Sequence, residues 1–301
     1  MRPFDENKLH AYREISYGIS GPRLTSEEDA LVFVEARGLI FFWPVKDVEL
    51  PSLWTAAAGN RPVHAQHDDP GHVTWGWKDS MLDQKRWYYG KLLRGRATLV
   101  SLGLLPHFYA LSERVGDPDD YLLAYEQGQL SFEAKSVADA LLTHGALHTL
   151  ELRKRAHLGS RNAKSRFDRA LRDLQKGLWI LPIGVAEAGA WRYAFIYQLF
   201  DRWLPGVLPL ARRISRRDAR KAILDCYLES VGATELKEIK KLFRWEQRTI
   251  EQALRDLADV GRCVERQEGA WLSTALEGYL QGNSLRVRSQ SSRYPNTQNK
   301  D

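Results

Sequence analysis

The sequence predicts a mainly α-helical α+β fold, assembled from tandem winged helix-turn-helix units that carry small β-hairpin wings. Three observations carry that prediction. The pentapeptide "ALRDL" occurs twice, at residues 170–174 and 253–257. Around both copies the same signals recur in the same order: a glycine closing a helix (Gly145, Gly232), a short Leu/Ile and Lys helix, a turn and a longer helix, then a second glycine (Gly177, Gly261) and a β-prone ribbon. A repeat of this size, ordered helix, helix, helix, hairpin, is the pattern of a winged helix.

The elements follow in chain order. Residues 1–23 read as an N-terminal extension. The first unit, 24–104, is a copy by element order and not by residue identity. It runs through the helix "TSEEDALVFVEARG", the helix "VELPSLWTAAAG" and the helix "HVTWGWKDSML". "KRWYYGKLL" and "ATLVSL" then flank Arg94-Gly95 as a basic hairpin. Residues 105–130 read as a helical linker. The second unit, 131–200, opens on "SFEAKSVADALLTH", where Val137, Ala138, Leu141 and Leu142 fall at helical spacing. It ends on "WILPIGV" and "WRYAFIY" around the turn signal "AEAGA". The third unit, 201–281, has Ser215 and Asp218 at the spacing of an N-terminal capping box. The polar tail, 282–301, reads as disordered.

Composition sets the outer limits. The chain has 301 residues, 44% hydrophobic and 27% charged, an ordinary globular balance with apolar material for several small cores. A formal net charge of +6 permits a polyanionic partner without demanding one. The two cysteines, Cys226 and Cys263, have no metal-binding spacing, so neither a disulfide framework nor a zinc site is expected. No apolar signal core opens the sequence and no run reaches the ~18 apolar residues of a membrane span. The expectation is a cytoplasmic monomer with no cofactor.

The strongest binding signal is "RKRAHLGSRNAKSRFDR", residues 153–169. Arg153, Lys154, Arg155, Arg161, Lys164, Arg166 and Arg169 face a single acid, Asp168. The stretch covers the turn and the start of the long helix, the part of a helix-turn-helix that meets the major groove. Lysine and arginine suit phosphates, and Asn162 suits a base edge. A solvated helix face is the alternative. The first hairpin adds Arg86, Arg94 and Arg96, equally compatible with a groove contact or an ordinary wing. "RRISRRDARK" places a further basic cluster at a helix N-terminus, where the helix dipole disfavours cations. "HAQHDDPGH" brings together His64, His67, Asp68, Asp69 and His72, but matches no zinc pattern well, and a polar loop is the default. No P-loop, dinucleotide fingerprint, G-x-S-x-G or H-E-x-x-H occurs.

Three tandem winged helices with "GLIFFWPVKDVELPSLW" and "TWGWKDSML" in the first unit resemble the AlkZ/YcaQ-type crosslink-repair DNA glycosylases, over residues 24–272. That resemblance implies a double-stranded DNA partner, damaged or distorted duplexes included. It also implies a Q-x-D or Q-x-Q pair that handles the attacking water, and a histidine in the second element. Here Phe41 and Trp43 occupy the positions of the pair, and Trp77 that of the histidine. Phenylalanine and tryptophan cannot accept a proton, so the family's catalytic residues do not carry over. Glu35, Asp47 and Glu49 are the acids near enough in sequence to stand in, though no spacing argues for them. The expectation is a DNA-binding relative without the known catalytic residues. The alternatives are a glycosylase acting on alkylated or crosslinked bases through a substituted site, in which aromatics hold an extruded base, and a winged-helix transcription regulator.

Overall fold

A computed structural model describes residues 5–64, 69–112, 114–117, 119–266 and 269–284. His67 and Asp68 of the histidine-rich loop, and all but the first residues of the polar tail, lie outside this range. Helix α1 (Glu6–Ser16) starts on Asp5, whose carboxylate accepts from the Asn7 and Lys8 amides. Helix α2 (Glu27–Arg37) has a complete capping box between Ser26 and Asp29. Strand β1 (Leu39–Phe41), helices α3 (Leu53–Ala58) and α4 (Val73–Asp83), and strands β2 (Trp87–Gly90) and β3 (Thr98–Ser101) follow. Then come α5 (Leu105–Leu111) and α6 (Asp120–Glu126).

The same series recurs twice. It first runs through α7 (Phe132–His144), β4 (Leu147–His148), α8 (Thr149–Arg155), α9 (Lys164–Lys176), β5 (Ile180–Ala186) and β6 (Ala194–Leu199). Short helices α10 (Phe200–Trp203) and α11 (Val207–Ala211) lead to α12 (Arg216–Val231), β7 (Ala233–Glu235), α13 (Leu236–Phe243), α14 (Gln247–Asp259), β8 (Cys263–Arg266) and β9 (Ala270–Ser273). Helix α15 (Thr274–Leu280) ends the described fold.

In all three series the last strand lies between the other two, antiparallel to both. The described residues are thus mainly helical with three small sheets, the α+β class expected from the repeat. The first helix of each series ends on a glycine at positive φ: Gly38 at 75°, Gly145 at 77° and Gly232 at 76°. That conformation is cheap only for glycine and turns the chain straight into the edge strand. The long helices α9 and α14 bury the same phase of their repeat, Phe167, Ala170, Leu171 and Leu174 in one and Ile250, Ala253, Leu254 and Leu257 in the other.

Segments outside the repeats pack as core. Leu105, Phe108 and Tyr109 of α5 join the apolar cluster that surrounds α12. Helix α1 docks on the third series: the Tyr12 hydroxyl donates to the Glu229 carbonyl and the Arg13 guanidinium to the carbonyls of Val231 and Ala233. The Arg114 side chain is 2% exposed and ties α6 to the end of the second series, through Asp120, Asp201 and the Leu178 carbonyl.

Candidate active site and nucleic-acid interface

Strand β1 is buried on both faces, and its side chains divide with period two. Leu39 and Phe41 point with Tyr88 and Val100 into the cluster shared with α5 and α12. Ile40 and Phe42 point the other way, with Trp77, Tyr89 and Leu99. Phe41 is fully buried, and Trp77 is buried on the inner side of α4. Trp43 lies beyond the end of the strand and turns back onto the Phe42 side, where its half-buried ring meets Phe42 and Trp75 edge-on at 5.0 and 5.5 Å. The Trp43 indole nitrogen is buried with no hydrogen-bond partner.

On that side of the strand α4 presents Trp75, Lys78 and Asp79, spaced i, i+3, i+4 and therefore on one helix face. Opposite them stands the hairpin β5–β6 of the second series, with Tyr193 and Phe195. The Lys78 ammonium is 1% exposed and sits within 4.5–5.9 Å of five ring centroids: Phe195, Tyr89, Trp75, Tyr193 and Phe42. It donates to Asp79 Oδ1 at 2.5 Å and to the Tyr193 hydroxyl at 2.9 Å. The Tyr193 hydroxyl donates to the same Asp79 oxygen at 3.0 Å and accepts from the Trp75 indole N–H at 3.0 Å. Burial pulls the Lys78 ammonium down to about 8 and the Asp79 carboxylate holds it up only in part. Burial also pushes the Tyr193 phenol well above its ordinary range. The Asp79 side chain keeps 21% exposure, so the cluster reaches solvent there. Chemically the arrangement is an amine, a carboxylate and a phenol packed among aromatic rings. Sequence reasoning singles out Trp77 in this helix and passes over its two neighbours.

A second feature joins the first hairpin to α9. Lys91, Arg94 and Arg96 sit in the loop between β2 and β3. That loop approaches α9 so closely that a methyl on Gly95 would lie 2.9 Å from Arg172 Cδ and 3.7 Å from Lys176 Cε. Burial, then the neighbouring charges of Arg172 and Arg96, lower the Lys91 ammonium. Arg169, Arg172 and Lys176 share one face of α9, so a basic stripe runs along the helix to the hairpin. Among the described residues no carboxylate pairs with Lys91, Arg94, Arg96 or Arg172.

The predicted contact residues separate into two groups. Arg161, Asn162 and Lys164 are exposed at the start of α9, and Lys154 is exposed at the end of α8. Arg153 donates to the carbonyls of Leu158 and Ser160 and so closes the turn before α9. Arg155 pairs with Glu151, Arg166 with Glu133 at 2.9 Å, and Arg86 with Glu28 at 3.4 Å. The tip of hairpin β5–β6 carries Trp191, 87% exposed.

The other candidate groups point elsewhere. Glu49 accepts from Tyr17 at 3.0 Å and faces Arg13 at 3.4 Å, Glu35 and Asp47 are exposed, and none of the three touches the Lys78 cluster. In the histidine-rich loop Asp69 is held by Arg61 at 2.6 Å, which keeps its carboxyl down at about 2. His72 Nε2 meets the His64 carbonyl. No metal-binding cluster occurs among the described residues. Cys226 and Cys263 are both buried. No described helix is long and apolar enough to cross a membrane.

Comparison with known proteins agrees with this architecture. The family model described as "AlkZ related" matches residues 24–244. Among solved structures, the chain is similar to the Streptomyces sahachiroi DNA glycosylase AlkZ, with a TM-score of 0.59 at 13% identity, over 94% of this chain and 73% of that one. At that identity the likeness speaks to the fold alone. No curated protein matches the chain.

Proposed function

The chain belongs to the AlkZ-related family, and from that premise we propose that it binds duplex DNA through the basic stripe of α9 and the first hairpin. The carrying observation is the convergence of Lys91, Arg96 and Arg172 beside the Gly95 turn, with no paired acid among the described residues. Like charges brought together and partly desolvated are unfavourable alone, and a row of phosphates relieves that cost. The fold does not require this charge pattern. The equivalent helix α14 carries Gln252 where α9 has Arg169, and Asp259 where α9 has Lys176. Its Arg255, at the place of Arg172, faces Glu251 at 3.6 Å. Exposed Arg161, Asn162 and Lys164 extend the stripe at its N-terminal end, and Trp191 supplies a ring that a DNA groove or an unstacked base step can take.

Phe41 and Trp43 stand where the resemblance places the water-handling pair, so binding does not bring the family's known chemistry with it. A transcription regulator has no observation in its favour. An enzyme with a substituted site has one, the Lys78 cluster.

The test is fluorescence anisotropy of a labelled duplex across a salt series. The double variant Arg96→Ala/Arg172→Ala should bind more weakly. Its slope of log affinity against log salt should be shallower by about 2, since each phosphate that a cation no longer neutralises removes about 0.9. Unchanged affinity and slope would remove the stripe as the contact surface.

A further inference from the structure

We propose that Lys78 is a catalytic amine that attacks C1′ of a deoxyribose whose base has left the duplex stack, with Asp79 carrying its protons; this rests on the DNA-binding reading above. Three observations bring the inference together. First, packing alone does not call for Lys78. A buried ammonium loses hydration that one carboxylate returns only in part, whereas a methionine fills the same space at less cost. Perturbed ionisable groups of this kind concentrate where chemistry is done. Second, the cluster is assembled from two units. Lys78 and Asp79 come from α4, and Tyr193 comes from a hairpin more than a hundred residues later. Third, it opens outward. Asp79 Oδ1 bridges the amine and the phenol while its side chain reaches solvent, beside the partly exposed ring of Tyr193, which Trp75 adjoins and Trp43 adjoins in turn. Such faces can stack a turned-out base. Trp43, at one of the positions of the absent water-handling pair, lies against Trp75, so the loss and the replacement occur in the same place.

The steps balance with water as the only co-reactant. The Nζ lone pair forms the N–C1′ bond as the glycosidic C–N bond breaks. That bond's electron pair leaves with the base, which receives through Asp79 the proton shed by the amine. The C1′–O4′ bond then opens, O4′ takes a proton from solvent, and a protonated imine remains. Water hydrolyses the imine to an abasic sugar and the free amine. An ammonium lowered to about 8 leaves on the order of a tenth of Lys78 neutral at neutral pH. The rings that hold the cation also keep bulk water from the imine.

The experiment incubates the full chain with a duplex carrying one abasic site and sodium borohydride, which reduces an imine to a stable secondary amine. Anisotropy of the same duplex is measured in parallel. The expected result is a covalent protein–DNA adduct that peptide mapping places on Lys78. It should be lost in Lys78→Met, formed more slowly in Asp79→Asn, and unchanged in Lys135→Gln, a surface control paired with Asp139. Because the map is made on the unaltered chain, it decides the matter even if Lys78→Met fails to fold. Binding without an adduct, or an adduct on other lysines, overturns the catalytic amine and leaves the DNA reading standing. No binding overturns both.

Discussion

Replacing Lys78 by methionine tests whether the amine is desolvated in the folded protein, independently of any DNA. Burial holds the Lys78 ammonium at about 8, against an ordinary value of 10.5. Between those values the unfolded chain binds a proton that the folded chain has released, so stability rises with pH. The cost of burying the charge is therefore complete below about pH 8 and gone above about pH 10.5. At about 1.4 kcal/mol for each tenfold change in proton affinity, the full effect is about 3 kcal/mol. About 2 kcal/mol of it is recovered between pH 8 and pH 10. Folding also shifts other groups, among them Lys91, which burial lowers, and the Cys263 thiol, which burial raises to about 12. The variant retains them, so they cancel in the comparison. Urea unfolding followed by circular dichroism, on both proteins at several pH values, gives the difference directly. The stability of the unaltered chain should climb by about 2 kcal/mol relative to Lys78→Met over that interval. Parallel curves would mean that Lys78 keeps its ordinary proton affinity, and the reasoning about its burial would be refuted.

Two further perturbations probe the frame around the site. Arg114→Met leaves the buried Asp120 and the half-buried Asp201 without their cation and frees the Leu178 carbonyl. It should destabilise the chain by about 3–5 kcal/mol, and a melting curve within experimental error of the parent would contradict that role. Phe41→Gln puts an amide where no polar partner waits, on the side of β1 that faces α12 and not the amine. It should destabilise by about 3 kcal/mol and release no base from alkylated duplex in an abasic-site assay. A gain of base release would show instead that position 41 can still serve the site.

The sequence makes the fold legible because its signals are local. Two copies of "ALRDL" and the glycines at 145 and 232 fix element order, and the same glycine ends α2 at Gly38, so even the copy without residue identity carries the repeat's turn. Polar starts are readable too: Ser215 caps α12 through its hydroxyl, as its spacing to Asp218 predicts, and the cap of α2 falls on Ser26, one residue past the start of "TSEEDALVFVEARG" at Thr25. The site is a different kind of object. Its amine and its phenol are 115 residues apart, and no spacing rule connects them. What is visible in "TWGWKDSML" is a helix face, Trp75, Lys78 and Asp79 at i, i+3, i+4, with two charges in an aromatic stretch. Charges on such a face ordinarily turn to water. Here β5–β6 comes down over them, and only that tertiary packing makes Lys78 a buried amine. Arg172 is obscured for the opposite reason. It belongs to the repeated pentapeptide, where its twin Arg255 has an acid beside it. Shared residues define the unit's shape, and what separates the copies is the company each keeps. Arg172 faces a basic hairpin and makes no ion pair among the described residues, although Asp168 stands where Glu251 does, whereas Arg255 is paired, and no comparison of the two pentapeptides alone reveals it. The address that the resemblance assigns to catalysis divides in the same way. Phe41 is core on the side of β1 that faces α12, while Trp43 packs edge-on against Trp75 on the side where α4 holds Lys78.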